Sequence, residues 1–220
     1  MSFSPTKVLL TTDIVLFTIQ QERLKVLLVR RASEPYKGSW ALPGGFVQEG
    51  ESLAECARRE LLEETGVDEA YLEQLYTFGD PDRDPRGRVV TVAYFALVRS
   101  DELILEAATD ADAAAWFPVD ELPDLAFDHA EILQVARERL SAKVEYSTIA
   151  FQLLPEEFTL RQAQGVHEAV LGHSLDKRNF RAALKARGLV KGTGRKFQDG
   201  PHRPAELFRL VSDEPVQIIK

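Results

Sequence analysis

The chain has 220 residues, of which 45% are hydrophobic and 28% are charged, a composition typical of globular proteins. No segment approaches the roughly 18 uninterrupted apolar residues of a membrane helix, and the N-terminus lacks a basic head followed by a long apolar run, so we predict a cytoplasmic protein. Its one cysteine, Cys56, excludes an intrachain disulfide and a multi-cysteine metal cluster, and we expect this thiol to lie in the core.

Charge is divided unevenly along the chain. Residues 1–154 contain 15 basic and 27 acidic residues, a net charge of −12, whereas residues 155–220 contain 12 basic and 8 acidic residues, a net charge of +4. An acidic N-terminal part and a basic C-terminal part are expected when one handles a metal ion and the other approaches a polyanion. Charge alone leaves open a second interpretation, in which the basic residues are merely solvated.

Two aliphatic and β-branched segments begin the chain. Residues 8–19 and 24–30 predict two buried strands of a hairpin, joined at the sequence QQER. Asp13 lies within the first strand, and this pattern does not explain a carboxylate there.

The next elements alternate between helix and strand. We predict a helix at about 53–65 and strands near 71–79 and 88–99, which flank the polar loop GDPDRDPRGR at the rim of a cleft. A short WFPV segment, the turn DELPDL and a helix from about Asp128 to Ala142 complete the first domain. This mixture predicts the α/β class, with an α/β/α sandwich around a mixed sheet.

A second module follows the segment YSTIAFQLLP, which we predict to be extended. Thr159 and Gln162 have the spacing of a capping box, so a helix should begin there and end near Gly172. Asp176 then caps a second helix, KRNFRAALKARG, with Phe180, Leu184 and Ala183 facing inward and its basic residues Lys177, Arg178, Arg181, Lys185 and Arg187 facing outward.

The remainder, LVKGTGRKFQDGPHRPAELFRLV, predicts two short strands around a glycine-rich basic tip. Helix, turn, basic helix and β-hairpin together predict a winged helix-turn-helix.

Three glutamates mark the first predicted helix. Glu60, Glu63 and Glu64 are spaced i, i+3 and i+4, which puts the three carboxylates on one helical face. They stand near the C-terminal end, where the helix dipole disfavours anions, and hard cations such as Mg²⁺ prefer carboxylate oxygens. A solvated acidic face is the alternative when the cluster is considered alone.

The wider spacing decides between these alternatives. Gly45, five residues, Glu51, seven residues and then the segment RELLEETGV match the Nudix box at every defined position, so the segment from Pro43 to Val67 resembles the Nudix hydrolase family. The resemblance implies Mg²⁺- or Mn²⁺-dependent hydrolysis of a nucleoside diphosphate linked to another group. It also implies that Glu60, Glu63 and Glu64 bind metal, that Arg59 orients a glutamate, that Gly44 and Gly45 approach metal or phosphate, and that Glu51 braces the loop.

Segments outside the box resemble the Nudix-related transcriptional regulators of the NrtR type. These segments are LYTFGDPDRDPRGRVVTVAYFALV (75–98), LAFDHAEIL (125–133) and LDKRNFRAAL (175–184), followed by the predicted wing. The resemblance implies a Nudix domain at 1–145, a linker at 146–158 and a DNA-binding winged helix at 159–220. It further implies binding of ADP-ribose or a related nucleotide sugar, a palindromic double-stranded operator, a homodimer and control of NAD or sugar metabolism genes.

Family members often have eroded Nudix boxes, whereas this box is intact, so we expect hydrolysis as well as sensing. A plain ADP-ribose pyrophosphatase with a C-terminal dimerisation module is the alternative. The basic helix and wing favour DNA binding, because the start of such a helix reaches bases and phosphates in the major groove. The residues expected to contact DNA are Lys177, Arg178, Asn179, Arg181, Lys191, Arg195 and Lys196.

The general base is left open among acidic residues outside the box, including Asp80, Asp82, Asp84 and Glu102. For His129 we predict a structural hydrogen bond rather than catalysis.

Overall fold

The computed structural model describes residues 7–99, 114–198 and 204–219. Within these ranges no helix is both long and apolar enough to cross a membrane. The strands are β1 (Leu9–Gln20), β2 (Arg23–Arg30), β3 (Trp40–Ala41), β4 (Gly44–Phe46), β5 (Tyr71–Phe78), β6 (Val89–Leu97), β7 (Ala114–Pro118), β8 (Val190–Phe197) and β9 (Ala205–Leu210). The helices are α1 (Leu53–Thr65), α2 (His129–Tyr146), α3 (Leu160–Leu171) and α4 (Lys177–Ala186), with a 3-10 helix at Ile149–Leu153.

A seven-stranded sheet forms the centre of the N-terminal part. Its main strand order is β3-β2-β1-β6-β5, while β4 pairs with β1 and β7 pairs with β2. Strand β1 is buried at every residue from 11 to 18, because it is an inner strand whose two faces are both covered. These features confirm the predicted α/β class and the predicted hairpin, whose turn consists of Gln21 and Glu22 in the left-handed region (φ 55° and 60°).

Helix α1 has the predicted bounds. Ser52 and Glu55 form the capping box, and Gly66 ends the helix with φ 72°. Cys56, Ala57 and Leu61 are buried on one face, and the Cys56 Sγ lies 3.2 Å from the Thr12 Oγ1 of β1. The predicted core position of the thiol is therefore confirmed, and burial raises its pKa.

The contacts of the described residues divide them into two compact units. The first contains residues 7–17, 25–96 and 114–137, and the second contains 18–24, 97–99, 138–198 and 204–219. The division falls within β1, β2, β6 and α2, so these elements belong partly to each unit.

In the second unit, α3 packs against the 3-10 helix and against α4. Thr159 and Gln162 form the predicted capping box of α3, Gly172 ends the helix, and Asp176 caps α4. Strands β8 and β9 form an antiparallel hairpin, and Phe158 bridges to Phe208 of β9. This arrangement confirms the predicted winged helix-turn-helix.

Two local predictions are wrong. The segment at 146–155 is not extended, because Ile149, Phe151 and Leu153 bury their side chains by forming a 3-10 turn. Helix α2 continues four residues beyond the predicted end at Ala142. Gly192 and Gly194 lie within β8, where Gly194 (φ 77°) accompanies a register shift between Gly192 and Lys196, while the predicted tip at 199–203 lies outside the described residues.

Candidate functional site: a loop, helix and arginine-rich cleft

Gly44 and Gly45, at the start of β4, bring main chain against the carboxylates of α1. A Cβ atom at Gly45 would overlap the carboxylate of Glu60, and one at Gly44 would overlap the Thr12 carbonyl oxygen. The Gly44 N–H donates to Glu64 Oε2 at 2.9 Å. Only glycine allows this approach, so the structure places Gly44 and Gly45 beside the predicted ligand carboxylates.

Arg59 connects three glutamates of the loop and helix. Its guanidinium donates to both oxygens of Glu51 (2.7 and 3.0 Å) and also to Glu60 (2.6 Å) and Glu63 (3.2 Å). Glu51 in turn accepts from the Gln48 N–H at 3.0 Å, which closes the loop. The hydrogen bond to Arg59 lowers the pKa of Glu51 to about 2, helped by the hydrogen bond from Gln48. The bidentate partner of Arg59 is thus Glu51 rather than a glutamate of α1.

The surroundings of Glu64 disfavour its charged form. The residue retains exposed surface, but protein atoms crowd its carboxylate in the cleft, and this desolvation raises its pKa to about 7. The Gly44 hydrogen bond opposes the shift, and the charges of Glu60 and Asp13 add to it. The carboxylate lies where a cation would be stabilising.

The side chains of α1 have the chemistry of ligands for a hard divalent cation, because Glu60, Glu63 and Glu64 all present carboxylate oxygens. In the described ranges, however, no group of three or more His, Cys, Asp or Glu side chains is arranged as a ready metal site. Glu60 and Glu63 are held by Arg59, and 58% of the Glu63 side chain is exposed.

A cleft of about 240 Å³ lies beside this loop, lined in part by residues that the sequence pattern does not single out. Asp13, unexplained in the sequence, faces it from β1 and lies 3.5 Å from Arg83 Nη2. Arg83 also donates to both oxygens of Asp128 (2.7 and 2.6 Å). Although burial acts to lower the pKa of Arg83, hydrogen bonds to Asp128 and the charge of Asp13 raise it.

His129 lines the cleft and makes a hydrogen bond to the main chain, as predicted, whereas its exclusion from catalysis stays a prediction. The Leu42 N–H donates to its Nδ1 at 2.9 Å, and the ring is buried. Burial lowers the pKa of His129, which agrees with a neutral ring that accepts at Nδ1.

Two further arginines line the cleft and differ in their partners. Arg86 donates from Nε and Nη2 to the buried carboxylate of Asp84 (3.0 and 2.6 Å), so its charge is balanced. Arg31 donates instead to the carbonyls of Pro35 (2.8 Å) and Ser33 (3.5 Å). Desolvation and the nearby charge of Arg86 lower the pKa of Arg31. Arg31 is therefore suited to an anionic ligand.

The general-base candidates separate by position. Asp84 lines the cleft, whereas Asp80 and Asp82 are exposed, and Glu102 lies outside the described residues. Burial acts to raise the pKa of Asp84, but its hydrogen bonds with Arg86 outweigh burial and lower it.

The predicted DNA-contacting residues lie on α4 and β8. Lys177, Arg178 and Asn179 are exposed on the first turn of α4, where the Asn179 N–H donates to the capping carboxylate of Asp176 at 2.8 Å. The exposed residues of β8 in this set are Lys191, Arg195 and Lys196. Arg195 pairs with Glu157 at 2.9 Å.

Two orientations on α4 differ from the prediction. Arg181 is half-buried rather than pointing outward, and its Nε is buried without a hydrogen-bond partner among the described residues. Ala183 is exposed rather than inward, since the buried face of the helix is formed by Leu184 with the half-buried Phe180. The 100° step between neighbours puts Ala183 to one side of that narrow face.

Loop, helix and cleft define a Nudix domain, and the C-terminal helices and hairpin define a winged helix-turn-helix. Residues 9–136 match the NUDIX domain family, and residues 150–210 match the NrtR DNA-binding winged helix domain. The chain belongs to the Nudix family, in the branch that carries the NrtR winged helix domain.

Three similar proteins extend the comparison. The ADPR responsive transcriptional repressor NtrR of Acinetobacter baylyi is 40% identical over 207 residues, which cover 92% of this chain and 82% of the repressor. The crystal structure of Shewanella oneidensis NrtR complexed with a 27mer DNA is 42% identical with a TM-score of 0.83, covering 91% of this chain and 93% of that one. The ADP-ribose pyrophosphatase of Methanocaldococcus jannaschii is 44% identical over 110 residues, 50% of this chain and 64% of that enzyme.

Proposed function

We propose that this protein is an ADP-ribose-responsive transcriptional regulator whose Nudix domain binds ADP-ribose or a related nucleotide sugar and whose winged helix binds operator DNA. The observation that carries the proposal is the presence, in one chain, of an arginine-lined Nudix cleft and an exposed basic helix with a basic wing. The relatives named above respond to ADP-ribose, bind DNA or hydrolyse ADP-ribose, and the chain covers most of the length of the repressor.

The cleft supports a diphosphate ligand. Arg31 offers a charge that no carboxylate neutralises by hydrogen bonding within the described residues, and it lines the same cleft as Gly44, Gly45 and Glu64. Arginine recognises phosphate with several donors in a fixed plane, so this side chain is our choice for the primary phosphate contact.

We also propose hydrolysis of ADP-ribose to AMP and ribose 5-phosphate. Glu60, Glu63 and Glu64 would hold Mg²⁺ or Mn²⁺, and a bound divalent cation supplies neutralisation of the diphosphate charge and activation of water. Arg59 would keep Glu51 and Glu60 in place. The complete hydrogen-bond network of Arg59 favours retained turnover over an eroded, purely sensing domain.

For DNA, we propose that the domain after about residue 155 binds a palindromic operator as part of a homodimer, because a two-fold dimer matches a two-fold site. Lys177, Arg178 and Asn179 would reach the major groove, while Lys191, Arg195 and Lys196 would reach phosphates. Arg195 would have to leave Glu157 to do so. The operator would control genes of NAD or sugar metabolism.

Hydrolysis is tested by incubating the full chain with ADP-ribose and Mg²⁺ and measuring AMP. Glu60→Gln should lower the rate by orders of magnitude, since metal carboxylates support most of the charge stabilisation. Glu69→Gln, at an acidic position outside the box, is the matched control. Equally slow rates for wild type and Glu60→Gln would leave a regulator that senses without turnover.

A further inference from the structure

Two adjoining cavities lie in the second unit, beside α3 and α4. Their volumes are about 670 and 630 Å³, within the roughly 300–1,000 Å³ of pockets that hold small molecules. Four residues line both cavities, namely Glu22, Arg161, Gly165 and Arg181, and the space that they share is here called the α3–α4 notch. None of the residues lining these cavities lines the Nudix cleft.

Three basic side chains line the notch or its edge without an acidic partner. Arg161 and Lys177 are exposed, and neither they nor Arg181 form an ion pair within the part of the chain that the structure describes. The Nε of Arg181 is buried and has no hydrogen-bond partner there. Because a buried donor without an acceptor is unfavourable, a ligand that supplied an acceptor to Arg181 would be stabilising.

The acidic residues of the two cavities do not balance these cations. Glu168 accepts hydrogen bonds from the Leu175 N–H (2.7 Å) and from Gln164 (2.9 Å), so its carboxylate is already engaged. Glu22 is exposed at the β1–β2 turn and forms no ion pair with another described residue. The basic groups therefore outnumber the acidic ones, and an anion would balance the excess.

Gly165 keeps the notch open. It lies in the interior of α3, where glycine lowers helix stability relative to alanine. A Cβ atom here would meet no heavy atom of the described chain within 4 Å, apart from the helix's own backbone. Close packing therefore does not explain the glycine, whereas access of a ligand to the helix surface does.

The β1–β2 turn is a second place where the local sequence is unfavourable. Gln21 and Glu22 have φ 55° and 60°, and hairpin turns with two such residues favour Asn and Gly. Both residues line the first cavity. Local strain of this kind is concentrated at functional sites in proteins. A strained turn, a helical glycine and an unpartnered guanidinium nitrogen thus meet at one notch.

We propose that the α3–α4 notch binds a phosphate group, to which Arg161 and Arg181 donate, and that the charge of Glu22 limits the affinity. Arginine suits phosphate because its donors lie in a fixed plane. Two sources carry this chemistry, a small phosphate-bearing molecule and the backbone of DNA. With the first source the notch goes beyond the proposed function, and with the second it rests on the DNA-binding part of that function.

NMR titration of the ¹⁵N-labelled full chain with inorganic pyrophosphate in EDTA tests the first source. The Gly165 amide and the Arg181 Nε–H report on the notch itself, and both signals should shift to saturation. Arg161→Gln should weaken binding by about fivefold or more, whereas Glu22→Gln should strengthen it by about twofold, since a repulsive charge is lost. The control Arg187→Gln, at an exposed arginine that lines neither cavity, should bind like wild type.

Fluorescence anisotropy with the DNA upstream of the chain's own operon tests the second source. If the backbone supplies the phosphate, Arg161→Gln should weaken DNA binding by about fivefold or more and reduce the salt dependence by about one unit of slope. Glu22→Gln should strengthen DNA binding. Loss in this titration without a pyrophosphate shift would assign the notch to DNA.

The phosphate site is overturned if neither variant changes the affinity for pyrophosphate or for DNA, or if both variants weaken binding. Glu22→Gln keeps the test valid if Arg161→Gln does not fold, because a gain in affinity cannot come from unfolding. If pyrophosphate saturates the notch as expected while DNA does not bind, the notch stands and the proposed DNA-binding function fails.

Discussion

Arg59 illustrates how one side chain connects a loop and a helix. Its guanidinium contacts Glu51, Glu60 and Glu63 and also lies 3.3 Å from the Phe46 carbonyl, so loop and helix share one ionic hub. The motif spacing predicted separately that Arg59 orients a glutamate and that Glu51 braces the loop, and it did not predict that one guanidinium joins these contacts. Asp13, Arg83 and Phe127 were not predicted as site residues. They converge on the cleft only through the folded sheet, and linear spacing carries no information about that convergence.

At the residue scale, Arg31→Gln should weaken ADP-ribose and pyrophosphate binding by about tenfold or more. The change removes a cation that has no carboxylate hydrogen-bond partner among the described residues, and hydrogen bonds to charged groups contribute about 1.5–3 kcal/mol. Titration calorimetry measures the loss. The matched control is Arg30→Gln, a neighbouring exposed arginine. If both variants bind like wild type, Arg31 is not the phosphate contact.

Glu64 gives a prediction about pH. Because desolvation in the folded state raises its pKa to about 7 from an ordinary value near 4.5, and the Gly44 hydrogen bond offsets this only in part, stability falls as pH rises through this window and the carboxylate ionises. In metal-free protein, Glu64→Gln should therefore melt at a higher temperature than wild type at pH 8, and the difference should shrink toward pH 4.

Thermal melts in EDTA across this pH range provide the measurement. Glu63→Gln serves as the control, since it makes the same substitution on α1 at a side chain that is 58% exposed. A pH-independent difference between Glu64→Gln and wild type would show that desolvation of the carboxylate is not its cause.

At the scale of the element, short-range sequence patterns predicted the features that depend on neighbouring residues, such as helix caps. The caps of α1, α3 and α4 were correct, because a capping side chain and its N–H partner are three residues apart. The predicted extended segment at 146–155 and the outward Arg181 were wrong. Those outcomes depend on neighbours that are distant in sequence, such as the C-terminal Gln217, whose carbonyl accepts from the Thr148 N–H at 2.9 Å. The domain boundaries at 145 and 159 stay predictions.

Helix α4 supports a test of DNA recognition. Arg178→Ala should weaken operator binding by at least about fivefold, and should reduce the salt dependence by about one unit of slope if Arg178 contacts a phosphate. Arg181 is a less clean choice, since its half-buried position couples binding to stability. Fluorescence anisotropy at several salt concentrations measures both the affinity and its salt dependence. Arg58→Ala, at an exposed position of α1, is the control. Unchanged affinity for Arg178→Ala would show that Arg178 on α4 is solvated and does not contact DNA.

At the scale of the whole molecule, the charge asymmetry agrees with two tasks in one chain. The N-terminal 154 residues carry −12 and the remainder +4, so a polyanion is attracted mainly to the C-terminal part. Sequence spacing identified the Nudix and winged-helix parts. Whether the ligand strengthens or weakens DNA binding could not be predicted, because it depends on how differently the ligand binds two conformational states of the protein.

The central claim is that one chain couples nucleotide binding to DNA binding. The direct measurement is the affinity of the full chain for the DNA upstream of its own operon, by anisotropy, with and without saturating ADP-ribose. We expect salt-sensitive binding whose affinity shifts by about fivefold or more with ADP-ribose, the usual scale of coupling between two sites, and a much smaller shift in Arg31→Gln. DNA affinity that is absent, or identical with and without ADP-ribose, would contradict the account.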